Sequence, residues 1–461
     1  MRPAASTHPA YARLGSRLVS PDDAAYDAAR AVWNGMVDHR PALIARVRAA
    51  DEVALCLDLA GELGLPVSIR GGGHNVAGLA VGEGSLTIDC SDMTSVTVDA
   101  ERRRARVAGG ARWRDVDAAA QAFGLATPGG VVSDTGVAGL TLGGGLGWLR
   151  RTYGLSCDAL VSAEVVTADG RVVRASADEH PDLFWALRGG GGNFGVVTEF
   201  EFALFPVGPE VATILAVYPM TGAAAALRSL RSIAPGMPNE ISPVAVLTPV
   251  PEDPMFPEAV RGGDALMVLG MAVAAVEAGR TLLAPLAELG DGAIGTLHGP
   301  TPYVEWQQFF DADYPAHTMR YYWKSSFAED LADDVIAKLV EQFGRRPSHH
   351  STIDIWPNLG AIAALPEAAT AFGKRRAAWL VSPESNWEDA ADDGANVAWG
   401  REVVAAIGGE AYLNFPGLLE GGDAQVRGSH GESFDRLARV KRAYDPDNRF
   451  RFNANVRPAA T

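Results

Sequence analysis

A chain of 461 residues is too long for one compact domain and suits two or three, each able to bury its own core. Apolar residues at 48% and charged residues at 21% lie near the averages of soluble proteins, which excludes fibrous and disordered classes. The net charge of −16, from 40 Lys+Arg against 56 Asp+Glu, argues against a nucleic acid or an anionic membrane as partner and favours a small molecule.

The stretch Met1–Leu18 mixes Pro, His, Arg and Ser with no apolar run fit for a signal peptide or membrane span, so a cytoplasmic protein is expected. The pattern then predicts a strand at Ala42–Val47, a helix at Asp51–Leu63, and strands at Pro66–Arg70, Ser85–Asp89 and Ser95–Asp99. A second unit follows, with a strand at Arg104–Ala108, a helix at Arg114–Phe123, a Gly/Thr segment from Thr127 to Gly147, and strands at Ala159–Thr167, Arg171–Ala175 and Gly195–Phe205. Beyond Pro206 come Val211–Val217, Ala223–Ile233, Ile241–Thr248, Ala265–Val273, Glu277–Leu289, Met319–Phe327, Asp330–Phe343 and Thr352–Trp356, read as an antiparallel sheet covered on one face by helices. A last helix at Ser433–Tyr444 ends in DPDN, and a polar tail could return to the first domain. The fold class is α+β, with domains at residues 1–206 (core about 36–206), 207–410 and a returning segment 411–461.

Three cysteines cannot make a disulfide framework and lack the spacing of a zinc site. Cys56 and Cys90 sit in apolar runs and read as small buried hydrophobes. His349 and His350 precede a strand without a ligand partner at helical spacing and read as solvated; no metal site is expected.

Glycines cluster at Gly71–Gly73, Gly143–Gly147 and Gly189–Gly195, and three such clusters in the first 200 residues point to backbone wrapped around a large, nucleotide-like ligand. GGGNFG at Gly190–Gly195 matches a dinucleotide fingerprint formally. Its context is inverted, because Asp182–Leu187 before it reads as a helix and the residues after it as a strand, so a Rossmann site is rejected.

From RGGGHNVAG, Arg70–Gly78, the chain resembles the PCMH-type FAD-binding domain of the vanillyl-alcohol-oxidase-like flavoproteins, and within them the berberine-bridge-enzyme-like oxidases. The likeness runs on through Gly136–Gly170, Asp182–Phe202, AYLNFPG at Ala411–Gly417 and Tyr444–Pro458. It implies a two-subdomain FAD-binding domain and a substrate domain. It also implies a bicovalent FAD, bonded by His74 at the 8α-methyl and by Cys157, the cysteine of YGLSCD, at C6. The matched cofactor positions are Arg70, Gly71, Gly72, Gly73, Asn75, Gly78, Thr135, Gly136, Gly139, Gly143, Gly144, Gly145, Gly147, Asp158, Gly195 and Val197, with Asn453 and Asn455 from the tail.

The implied activity is an oxidase that takes a hydride from a secondary alcohol, sugar or natural product and is reoxidised by molecular oxygen to give hydrogen peroxide. A dehydrogenase using another acceptor, or a catalytically silent flavin-binding protein, is the alternative, and the protein is expected as a monomer or homodimer. The family's C-terminal motif often reads Tyr-x-Asn-Tyr with its second tyrosine as base, whereas this chain has Tyr412, Leu413, Asn414, Phe415. The base position is thus Phe415, and Tyr412, Tyr322, Tyr303 or a carboxylate such as Asp354 takes its place unless the substrate needs none. Arg375 or Arg376 either faces the substrate cavity or lies on a solvated strand.

Overall fold

A computed structural model describes residues 7–460, so the first six residues of the polar stretch Met1–Leu18 lie outside it. Leu43–Arg46, Leu86–Asp89 and Val67–Arg70 pair in parallel, and Leu18–Val19 adds an antiparallel edge. Their apolar runs suit strands covered on both faces. The helix Ala50–Leu63 buries Val53, Cys56, Leu57 and Ala60 at helical spacing against this sheet. It stops at Gly64, whose φ of +65° makes the left-handed cap a side chain would resist. Cys56 and Cys90 are both buried, and burial pushes the Cys56 thiol up to about 12.

A second sheet is antiparallel throughout, in the order Val96–Asp99, Arg104–Ala108, Val196–Ala203, Leu160–Val166, Val172–Ser176. The helix Pro181–Leu187 precedes Gly189–Gly195 and the strand Val196–Ala203 follows, the order opposite to a Rossmann turn.

The largest sheet runs Gly295–Pro302, Glu210–Pro219, Asp264–Ala272, Ile241–Pro249, Thr352–Pro357, Trp379–Trp387, Arg320–Trp323, with Ser326–Ala328 also paired to Trp379–Trp387. All its pairings are antiparallel. On one face Ile353, Ile355 and Val381 pack under the helices Met220–Ile233, Asp333–Gly344 and Asp393–Ile407. The other face carries Val244, Val246 and Trp356 towards the glycine-rich half of the chain. One face is therefore helix-covered, as the alternating pattern implied, and the other is free to shape a site.

The C-terminal segment closes on the first two sheets. Lys441 and Asp445, both fully buried, pair at 2.6 Å, and Lys441 Nζ also donates to the carbonyls of Asn193 and Phe450 at 2.8 Å. Such a pair holds only because every donor finds an acceptor. Phe450 bridges to Val67 in parallel, and Asn453 Nδ2 donates to Gly192 O at 3.0 Å, which ties the tail to the glycine loop.

Candidate active site

One cleft enclosing about 1930 Å³, its open mouth included, runs between the glycine loops and the free face of the largest sheet. One part of its wall is backbone: Gly71–Gly73, Gly136, Gly139, Gly143, Gly189–Gly192 and Gly195. At Gly72 an added Cβ would sit 2.4 Å from Gly136 Cα, and at Gly136 one would sit 2.5 Å from Gly72 N. Two chain segments thus cross where only glycine fits, leaving peptide groups as the lining.

The tail supplies Asn453 to the same wall, and its side-chain oxygen is buried with no partner among the described residues. A buried acceptor left unmatched is costly, so a ligand donor is the natural complement. The glycine cradle and the orphaned Asn453 oxygen on its wall fit FAD.

His74 stands on this wall in a stack. Its ring lies 5.1 Å from that of Trp33 at 14°, and Trp33 lies 3.8 Å from Tyr321 at 10°. His74 Nε2 faces Asp134 Oδ2 at 3.2 Å, and Asp134 is held in turn by Arg112 and, at 2.5 Å, by Arg114. Burial pushes the His74 imidazolium below its ordinary range, against the pull of Asp134. Burial disfavours the Asp134 carboxylate, but the hydrogen bonds and charges of His74 and Arg112 outweigh it and hold the group at about 2. A neutral imidazole beside a fixed carboxylate donates Nε2–H to it and keeps its lone pair on Nδ1.

Of the residues expected at the cofactor, Gly71, Gly72, Gly73, His74, Asn75, Thr135, Gly136, Gly139, Gly143, Gly195, Val197 and Asn453 line the cleft. The others do not. Arg70 turns to the Ala29 carbonyl at 2.7 Å and towards Asp89. Gly78 packs on Val37, Gly144 on Phe372, Gly145 on Ser156 and Gly147 on the Gly129 carbonyl.

Cys157 is fully buried, with its N–H on Gly144 O, its Sγ 3.8 Å from Asp158 Oδ1, and no share of the cleft wall. Burial pushes its thiol far up and Asp158 adds to this, while Arg375 and Arg188 oppose it. Asp158 is likewise interior, gripped by Arg375 at 2.6 and 3.0 Å. Arg375 therefore serves that ion pair, facing neither the cavity nor solvent, and Arg376 is exposed.

The sheet end of the cleft carries Phe310, Tyr314, Trp323, Asp354, Trp356, Glu384, Tyr412 and Phe415. Tyr412 and Phe415 meet edge to face at 5.4 Å. The Tyr412 hydroxyl accepts from Gly145 N–H at 2.9 Å and Asn414 Nδ2 at 2.7 Å, and burial pushes its phenol up, so it braces the glycine loop and is poorly suited to take a proton. Tyr303 is buried away from the wall with its hydroxyl unpartnered.

Tyr322 was expected near the chemistry and is not there. On Arg320–Trp323 the alternation sends Trp323 to the cleft and Tyr322 to the opposite face, where it packs on Gly400 and donates to Glu420. Tyr322→Phe is expected to leave kcat/KM within about twofold while lowering the melting temperature, since a hydrogen bond to a charged group is worth about 1.5–3 kcal/mol; a large loss of turnover would restore it to the site.

Asp354 and Glu384 are the carboxylates of the wall. Thr352 lies opposite Glu384 and Asp354 opposite Ser382, which places both acids on one face of neighbouring strands. Burial, reinforced by Asp313, pushes Asp354 up to about 7; burial and Asp354 push Glu384 up further, against a 2.7 Å hydrogen bond from Tyr314. Asp354 is thereby poised as a proton acceptor near neutrality. Glu384, Tyr314, Trp33 and Asp134 escaped the sequence reading; only Asp134, directly before Thr135–Gly136, had a motif to point to it.

A glycine-lined nucleotide cleft with a histidine at its wall and paired carboxylates facing it defines a flavin-dependent oxidoreductase. Profiles described as "FAD binding domain" and "Berberine and berberine like" match residues 41–176 and 411–457. (R)-6-hydroxynicotine oxidase of Paenarthrobacter nicotinovorans is 32% identical, covering 96% of this chain and 97% of its own. The crystal structure of 6-hydroxy-D-nicotine oxidase from Arthrobacter nicotinovorans superposes with a TM-score of 0.82 at 30% identity, over 96% of this chain and 98% of that one. Glucooligosaccharide oxidase from Acremonium strictum, whose FAD is named 6-S-cysteinyl and 8α-N1-histidyl, gives a TM-score of 0.86 at 25% identity over 98% and 100%. The chain belongs to the berberine-bridge-enzyme-like FAD-linked oxidoreductases. Among the described residues no helix is long and apolar enough to cross a membrane.

Proposed function

We propose that this is an oxidase of small organic molecules in which His74 alone tethers FAD and the Asp354–Glu384 pair accepts the substrate's proton. The observation that carries the reading is the single cleft whose wall joins the glycine cradle, His74 and the two carboxylates. When bound, FAD supplies the hydride acceptor, and molecular oxygen regenerates it with release of hydrogen peroxide. Residues 1–206 and 411–461 hold the cofactor, and residues 207–410 present the substrate surface. Small-molecule substrates accord with the oxidases of hydroxynicotine and oligosaccharides among the relatives.

The double linkage implied by the sequence has support on one side only. His74 meets the requirements of a nucleophile, being neutral, oriented by Asp134 and on the wall. Cys157 does not, because its thiol is fully buried, absent from the lining of the cleft, and pushed far up by burial.

The remaining side chains have definable tasks. Asp134 fixes the tautomer that leaves Nδ1 free, Trp33 holds the ring plane, and the apolar walls exclude water. Asp134→Asn is expected to reduce the covalently retained flavin several-fold with His74 intact, read as colour left in an acid-precipitated pellet; a fully yellow pellet would remove Asp134 from this role. The oxidase reading is tested by offering secondary alcohols, sugars and amines in air. Peroxide formed in step with oxygen uptake supports it; flavin bleaching that only an added dye reverses would make the protein a dehydrogenase.

A further inference from the structure

The sheet end of the cleft has a composition that selects one class of ligand. Its wall carries the carboxylates Asp354 and Glu384 and no lysine or arginine. Both acids are nearly sealed, at 4% and 3% exposure. Thr352 Oγ1 donates to Asp354 Oδ1 at 3.1 Å and the Tyr314 hydroxyl to Glu384 Oε2 at 2.7 Å. Among the described residues these are the hydrogen bonds the two carboxylates receive, and neither forms an ion pair. Two acids buried side by side without a cation are a deficit that a positively charged guest removes.

The surroundings add a second, independent indication. Aromatic rings stand around the pair: Tyr314 meets Trp323 at 4.9 Å and 74°, and Trp323 meets Phe415 at 5.5 Å and 82°. Trp323 Nε1 is already committed to Asn386 Oδ1 at 2.8 Å, so this ring offers a π face and no spare donor. Acceptor oxygens and ring faces are what an alkylated ammonium ion needs; a sugar needs donors as well.

We propose that the substrate is an organic ammonium ion, an amine bound in its protonated form between the Asp354–Glu384 pair and the aromatic rings, which passes its proton to that pair. In that transfer the N–H bond breaks with its electron pair left on nitrogen, and an O–H bond forms on the carboxylate. The freed lone pair then assists loss of hydride from the adjacent carbon. The oxidation rests on the flavin-oxidase reading above, whereas selection of a cation does not.

The test uses two ligands of nearly one shape that carry no oxidisable amine or carbinol C–H: benzyltrimethylammonium and the neutral tertiary alcohol 2-methyl-1-phenylpropan-2-ol. Titration calorimetry on the whole purified protein at about pH 8, above the value of about 7 to which burial pushes Asp354, is expected to give at least about tenfold tighter binding of the ammonium ion. Asp354→Asn and Glu384→Gln should each cut that preference while holding the alcohol's affinity within about twofold, which shows that the cleft is still folded. Equal affinity for the two ligands, or a preference that survives both substitutions, overturns the proposal. Flavin absorbance of the same samples reports on the oxidase reading separately: a preference for the cation in protein without flavin supports cation selection and sinks the oxidase, and flavin-loaded protein with no preference does the reverse.

Discussion

Asp354→Asn is expected to lose turnover and gain stability together. A positioned general base contributes about 10²–10⁴-fold, so kcat/KM should fall by that order, with Glu384 limiting the loss. The pH profile identifies the cause. Burial pushes the Asp354 carboxyl up to about 7, and a base works deprotonated, so wild-type kcat/KM should climb through that pH and level off; the climb should be missing from the variant.

Stability moves the other way. The folded pKa of Asp354 lies above the ordinary carboxylate range, so the native state keeps a proton that the unfolded chain has released. Its contribution is full below the unfolded value of about 4 and is lost as pH rises through about 7. Asparagine never ionises, so at about pH 8 the variant should be more stable by something on the order of 2–4 kcal/mol, with the gap closing towards pH 4. Melting temperatures at the two pH values measure it. A variant destabilised at both would show that the acid is satisfied by contacts other than those described, and would weaken its assignment as base.

His74→Ala is expected to release all of the flavin from an acid-precipitated pellet, while Cys157→Ala keeps the wild-type colour. Each outcome follows from position. His74 lines the cleft with a neutral ring fixed by Asp134, and Cys157 is fully buried and absent from the lining. Colour retained in both single variants and lost only in the double variant would establish two bonds. Loss of colour from the wild type would leave a flavin held by the cradle alone.

The first 200 residues were legible because their signals are local. The helix expected at Asp51–Leu63 is Ala50–Leu63, and the glycine loops lie where strand ends and turn chemistry put them. What the sequence hid was non-local. Trp379–Trp387 was missed because Pro383 interrupts its pattern, and Glu384 disappeared with it. Gly295–Pro302 is an edge strand rich in Gly and Pro, and Asp393–Ile407 is diluted by glycine and asparagine. Tyr322 failed for another reason: alternation says which residues share a face, but only the packing of Trp387 and Val397 against it says which face is covered. Asp354 could be named as a candidate from its place in an apolar strand; its pairing with Glu384 required the register.

The Lys441–Asp445 clasp and the Phe450–Val67 bridge bear on how the holoprotein is made. Translation runs from the amino end, and the early α/β region can collapse while later codons are still being read. Yet Asn453 belongs to the cleft wall, and the Gly192 and Asn193 carbonyls find their partners in Asn453 and Lys441, 261 and 248 residues further along the chain. Cofactor capture therefore waits for the segment Lys441–Asn453, and a ribosome stalled before Lys441 holds a chain that lacks this part of the wall.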